Sequence, residues 1–122
     1  MGYGKAVQDE LRGPARELRR MIPKVYAGFG NLAEAALSPG ELDAKTKELI
    51  ALALSVGLEC DGCIAAHARG AARHGATPEE VAEAIGVVIL MHGGPGTVYG
   101  PRAFAAFQEF HDDGKAGDRT AG

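Results

Sequence analysis

Cys60-Asp61-Gly62-Cys63 holds the only two cysteines of the 122-residue chain, and His67 follows four residues after the second. On a helix, positions 60, 63 and 67 share one face, so two thiols and an imidazole would point into one small volume. That set suits thiol–disulfide chemistry or a metal. A thiol near the first turn of a helix lies at the positive end of the macrodipole, which favours its thiolate, and Cys60 gains most on that count. His67 stands one turn beyond Cys63 and is placed to take or return its proton. Cys63 is therefore the better attacking sulfur and Cys60 the resolving one. A peroxide would leave a sulfenic acid on Cys63, and condensation with Cys60 would close a disulfide. A separate thiol reductant must then reopen it.

Two other uses of the same residues stay open. Cys60 and Cys63 are small enough to be ordinary core residues. They are also half of a structural zinc site, which usually joins two separated pairs. His74 lies roughly 10 Å further along a helix axis than His67, too far for one ion to reach both. A metal would have to use Cys60, Cys63 and His67 with water or a carboxylate.

The elements that must hold these residues read as helices separated by Gly and Pro. Lys5 to Met21 carries Leu11, Ala15, Leu18 and Ile22 at helical spacing, with Pro14 as an internal conflict and Pro23 as the break. Val25 to Leu37 is a second helix. Ser38 and Glu41 have the spacing of a capping box, and Asp43 is placed to cap Ala44 to Val56. That helix is apolar nearly all round in its second half, which makes it central, and Gly57 ends it. The cysteine helix starts at Cys60 and runs to about His74, stopped by Gly75. Thr77-Pro78-Glu79-Glu80 is the clearest start signal, opening a helix to about His92 with Val81, Ala84, Ile85, Val88 and Ile89 on one stripe. Gly93 to Gly96 breaks it. A last helix from about Thr97 to His111 puts Phe104, Phe107 and Phe110 on one side, and Asp112 to Gly122 reads as a frayed polar tail. No segment alternates with period two. The class is all-α, a single domain over 1–122 of about six helices with its core at about 40–110.

The totals agree with that reading and exclude others. Apolar residues are 46% of the chain but aromatics only 6%, with no Trp and 18 Gly. Ala-rich helices bury little area each, so association between subunits is expected to complete the burial. The net charge of −3 and the interleaving of Arg16, Arg19 and Arg20 with Glu17 leave no basic stripe for nucleic acid. There is no 18-residue apolar run to span a membrane, and the first residues lack the pattern of a secretory signal. A cytoplasmic setting is the expectation. There, a CxxC pair is redox-active or metal-bound more often than a structural bridge.

The stretch Glu48-Leu49-Ile50-Ala51-Leu52-Ala53-Leu54-Ser55-Val56-Gly57-Leu58-Glu59-Cys60-Asp61-Gly62-Cys63-Ile64-Ala65-Ala66-His67 resembles the signature of the carboxymuconolactone decarboxylase superfamily, and more narrowly its alkyl hydroperoxidase D-like branch. A glutamate twelve residues before the first cysteine, the CxxC, and a histidine four after the second are all in register. The resemblance implies an all-helical subunit around an antiparallel helical hairpin, assembled as a trimer or hexamer. It also implies thiol-dependent peroxidase activity without a bound cofactor or metal. Hydroperoxide would be the substrate, and a protein or small thiol the reductant. Carried over by position, Cys63 is peroxidatic, Cys60 resolving, and Glu48 and His67 form the proton relay. The better-known hydroperoxidases place a further histidine at the position of Gly62, so one relay member is missing here. The chain is also shorter than a two-repeat hydroperoxidase, which implies that a neighbouring subunit completes the unit. The decarboxylase branch generally lacks the cysteines and must hold substrate carboxylates, for which Arg69, Arg73 and Arg102 offer charge.

Among the remaining residues, Glu48 stands between apolar neighbours and is either at the solvent edge of its helix or held inside for proton transfer. Glu59 reads as a solvated loop residue whose charge opposes thiolate formation. His92 and His74 read as helix-terminal residues near carbonyls, and the Gly93–Gly96 run lacks the lysine and preceding strand of a phosphate loop. The phenylalanine stripe reads as core or subunit contact, and Tyr99 as a residue at a pocket mouth.

Overall fold

The computed structural model describes residues 2–121, with side chains through Lys115. Six helices and no strand make up the described residues: α1 (Lys5–Met21), α2 (Pro23–Leu37), α3 (Ala44–Gly57), α4 (Asp61–Arg73), α5 (Pro78–His92) and α6 (Gly96–Ala121). The all-α expectation holds, and most element boundaries fall within two residues of those read from the sequence.

Local chemistry sets the starts. Asp43 accepts from the Thr46 amide at 2.7 Å and caps α3. At α5, Glu80 N–H donates to Thr77 Oγ1 at 3.1 Å and Thr77 N–H donates to Glu80 Oε1 at 2.9 Å, a complete capping box. The box expected at Ser38 and Glu41 does not form. Ser38 is instead the C-cap of α2, where its hydroxyl donates to the Glu34 carbonyl at 2.6 Å. Pro14 lies inside an unbroken α1, on an exposed stretch, and Pro23 is the first residue of α2 rather than only a break.

The N-terminus of α1 has no local cap. Glu109, on α6, accepts from the amides of Gly4 at 3.1 Å and Lys5 at 3.3 Å. A side chain over a hundred residues away thus satisfies two of the orphan donors of α1 and ties it to α6. Lys5 also pairs with Asp113 on α6. That pair lies beyond His111, where the sequence reading ended the last helix; α6 instead continues to Ala121. The tail expected to fray from Asp112 is therefore helical where it begins, and its side chains past Lys115 lie outside the described residues.

The core sits among α3, α4, α5 and α6. Leu52 and Val56, Ile64, Ala68 and Ala71, Val81, Ile85 and Val88, and Ala103, Ala106 and Phe107 meet there. Phe107 is fully buried, while Phe104 and Phe110 pack partly buried against the cluster. The alanines of α4 present little bulk, so α3 and α6 approach its backbone closely. That closeness decides the geometry of the site. By contrast, α1 and α2 contain no buried residue, and Val25, Phe29 and Leu32 on α2 are each more than 60% exposed. No described helix is long and apolar enough to cross a membrane.

Candidate active site

The end of α3 delivers the chain to the cysteines. Glu59 N–H donates to the Val56 carbonyl at 3.1 Å and Cys60 N–H to the Ser55 carbonyl at 3.1 Å. These are the paired bonds of a Schellman motif, with Glu59 in the left-handed position at φ 56°. Gly57, expected to be the stop, is simply the last helical residue. The end of α4 uses the same motif with Gly75 at φ 82°, and there the sequence signal was correct. A non-glycine residue in this conformation costs about 1–2 kcal/mol. The Glu59 carboxylate pairs with His92 Nε2 at 3.3 Å, so His92 meets this loop rather than backbone carbonyls.

Cys60 is the N-cap of α4, just outside the helix, and its Sγ accepts from the Cys63 amide at 3.2 Å. The two sulfurs form a disulfide across a Cα–Cα distance of 5.2 Å. Both cysteines are half-buried and lie outside the cluster of fully buried core residues. In this state neither sulfur is a thiolate ligand, and no cluster of metal-binding side chains occurs among the described residues.

Glu48 is buried at 7% exposure, the one carboxylate in the core of α3. Its Oε2 lies 2.9 Å from His67 Nδ1. When the carboxylate is ionised it only accepts, Nδ1 then donates, and Nε2 is the ring nitrogen left for exchange. The room for that carboxylate comes from Gly70. A methyl group at position 70 would overlap the Glu48 carboxylate, with Oε1 only 2.8 Å away. The sequence reading missed Gly70, although an isolated glycine inside a helical pattern is a signal of close approach.

Gly62 has a similar explanation. A Cβ there would stand 3.3 Å from Leu11 Cδ1, because α1 lies over the first turn of α4. A side chain at 62 would require the exposed Leu11 side chain to shift by a few tenths of an ångström. The residue between the cysteines that does carry charge is Asp61, 3.7 Å from Arg102. Arg102 is stacked on Tyr99 at 4.6 Å and on Tyr3 at 5.3 Å, so Tyr99 serves as a platform for a cation rather than as a pocket mouth. Arg69 and Arg73 line a different cleft, and Arg102 does not join them. Residues two apart on a helix point about 200° from each other, so Arg69 faces away from His67. The three arginines do not assemble into one carboxylate site.

Other proteins share this arrangement of helices. A solved carboxymuconolactone decarboxylase family protein from Legionella pneumophila, in its apo form, superposes with a TM-score of 0.84 at 39% identity, covering 88% of this chain and 96% of that one. A solved protein from Thermotoga maritima superposes at 0.73 with 34% identity, over 84% and 96% of the two chains. A second structure of a Thermotoga maritima family protein, linked as a possibility to antioxidative response, gives 0.68 at 35% identity over 75% and 94%. In sequence, an uncharacterised protein of Cupriavidus necator is 44% identical over 85 residues, which is 70% of this chain and 75% of its own. An uncharacterised protein of the cox locus of Paracoccus denitrificans is 38% identical over 93 residues, 76% and 84% of the two. The model of the carboxymuconolactone decarboxylase family matches residues 23–112, which contain α3, α4 and every residue of the disulfide and its carboxylate–imidazole pair. With that match spanning most of its length, the chain belongs to the carboxymuconolactone decarboxylase family.

Proposed function

We propose that the protein is a thiol-dependent peroxidase of the alkyl hydroperoxidase D-like kind, cycling between a dithiol and the Cys60–Cys63 disulfide. The observation that carries this reading is the conjunction of a half-buried disulfide at the head of α4 with a buried carboxylate bonded to the imidazole one turn beyond Cys63. The antioxidative link suggested for a Thermotoga maritima relative points the same way.

In the reduced protein, His67 takes the Cys63 proton through Nε2, and Glu48 orients the ring and stabilises the imidazolium through Nδ1. The Cys63 thiolate attacks the O–O bond of a hydroperoxide. One oxygen stays on sulfur as the sulfenic acid, and the other leaves as an alcohol with the proton from His67. Cys60, held at the N-cap beside the Cys63 amide, displaces hydroxide from the sulfenic acid, which leaves as water and closes the disulfide. Two equivalents of an external thiol return both sulfurs to thiols and leave as their own disulfide. The cytoplasm would supply such a reductant.

The working unit is a homo-oligomer, a trimer or hexamer. In support, Val25, Phe29 and Leu32 form an exposed stripe at helical spacing on α2, and Leu54, Leu58, Leu90 and Met91 lie exposed on α3, α5 and the loop after α3. Exposed large apolar side chains in such number favour association. Light scattering is expected to give a multiple of the chain mass that Phe29→Asp lowers; a monomer at all concentrations removes this part of the proposal.

Intact mass after one equivalent of hydroperoxide tests the chemistry. The reduced protein should lose two hydrogens and consume the peroxide. Cys63→Ser should consume none, and Cys60→Ser should yield a sulfenic acid that dimedone traps. Equal residual turnover in the two variants would void the assignment of roles.

A further inference from the structure

A cleft of about 450 Å³ opens between α1, the second half of α4 and α6, on the side of α4 turned away from His67. Its volume falls in the range of small-ligand sites. Its α1 wall is fixed at one end, because Glu109 holds the amides of Gly4 and Lys5 and Phe110 fills the space where Gly4 would carry a side chain.

The charge lining it is unbalanced. Lys5 is matched by Asp113 and Arg12 by Asp9. Arg69 and Arg73 also face the cleft, and neither is in an ion pair among the described residues. In a chain whose net charge is −3, the described residues that line this concavity hold two more cations than anions. Two arginines at i and i+4 repel each other weakly and have Cβ atoms about 5–6 Å apart, close enough for one anion to accept from both. Concave low-dielectric walls strengthen such a field. Phe110 and Ala72 supply an apolar surface beside the charges.

We propose that this cleft binds a phosphomonoester of a small apolar or aromatic group. A tetrahedral dianion accepts from two guanidinium forks at once, which a monocarboxylate does less well. The ester group then covers Phe110. The site is independent of the cysteines and of the peroxidase reading.

Titration calorimetry of the full-length protein with phenyl phosphate tests it, with inorganic phosphate, benzoate and phenol as comparison probes. Saturable binding of one phenyl phosphate per chain is expected, weakened at least tenfold in Arg69→Gln/Arg73→Gln and weakened again as salt rises from about 50 to about 200 mM. Gln keeps the helix propensity of Arg, so the double variant should melt like the parent. Asp113→Asn, which frees Lys5, should tighten binding. No saturation by about 10 mM phenyl phosphate, or equal affinity in parent and double variant, would overturn the site. Inorganic phosphate or benzoate binding as tightly as phenyl phosphate, or phenol binding at all comparably, would overturn its assignment to a phosphomonoester.

Discussion

Substituting Gly70→Ala sets two opposed effects against each other at a single methyl group. In the middle of α4, alanine gains about 0.5–1 kcal/mol over glycine in helix stability. The added carbon, however, falls on the Glu48 carboxylate, with Oε1 2.8 Å away, and Glu48 is buried on a helix packed against α4. Overpacking of this kind costs about 1–3 kcal/mol. If the carboxylate moves to relieve it, the bond to His67 Nδ1 at 2.9 Å is lost, and a hydrogen bond to a charged group is worth about 1.5–3 kcal/mol. Whichever of the two operates outweighs the helix gain, and a net loss of about 0.5–2.5 kcal/mol is expected. For a chain of this size that lowers the melting temperature by roughly 2–12 °C. Because the displaced group is half of the proposed proton relay, peroxide turnover should also fall at least about tenfold. The decisive assay is a double-mutant cycle read by urea denaturation. In a Glu48→Ala background the methyl meets no carboxylate, so Gly70→Ala should there be neutral or stabilising. The interaction energy between the two sites should exceed about 1 kcal/mol. A Gly70→Ala protein as stable and as active as the parent would refute the steric argument and, with it, the account of how Glu48 is held.

Three further outcomes follow from the surroundings of the site. Arg102→Gln leaves the Asp61 carboxylate unopposed between the cysteines, so ultraviolet thiolate absorbance of the reduced protein should appear at higher pH; Asp61→Asn should move it lower, and a shift in the reverse direction would refute this. Glu59→Gly relieves a left-handed non-glycine residue and should leave stability unchanged or raise it by up to about 1 kcal/mol, whereas Gly75→Ala at the equivalent stop of α4 should cost about 1–2 kcal/mol; urea midpoints that rank the other way would count against the strain. The hydrogen bond from Lys45, and then the Thr77 amide, hold the Glu80 carboxyl below its ordinary range. A lowered carboxyl stabilises fully above its unfolded value and loses that contribution as pH falls through the folded value, so the parent should lose stability faster than Glu80→Gln between roughly pH 5 and pH 3. The site is exposed, so the difference should shrink with added salt, and identical acid limbs would rule the coupling out.

The sequence determined the helical class, the starts of α3 and α5, and the adjacency of Cys60 and Cys63, because these depend on nearest neighbours along the chain. A cap bonds three residues on, a CxxC closes within one turn, and an apolar stripe has a fixed period. Asp43, Thr77 and the Cys60–Cys63 pair were legible for that reason. What only the tertiary structure decided are matters of approach between segments distant in sequence. The overlap that reserves position 70 for the Glu48 carboxylate and the contact of Leu11 with Gly62 come from helix packing. So do the caps that Glu109 provides for α1, the length of α6 past His111, and the separation of Arg69 and Arg73 from Arg102. Local propensity carries no information about which helix lies over which, and packing in a small-residue core fixes that to within a methyl group.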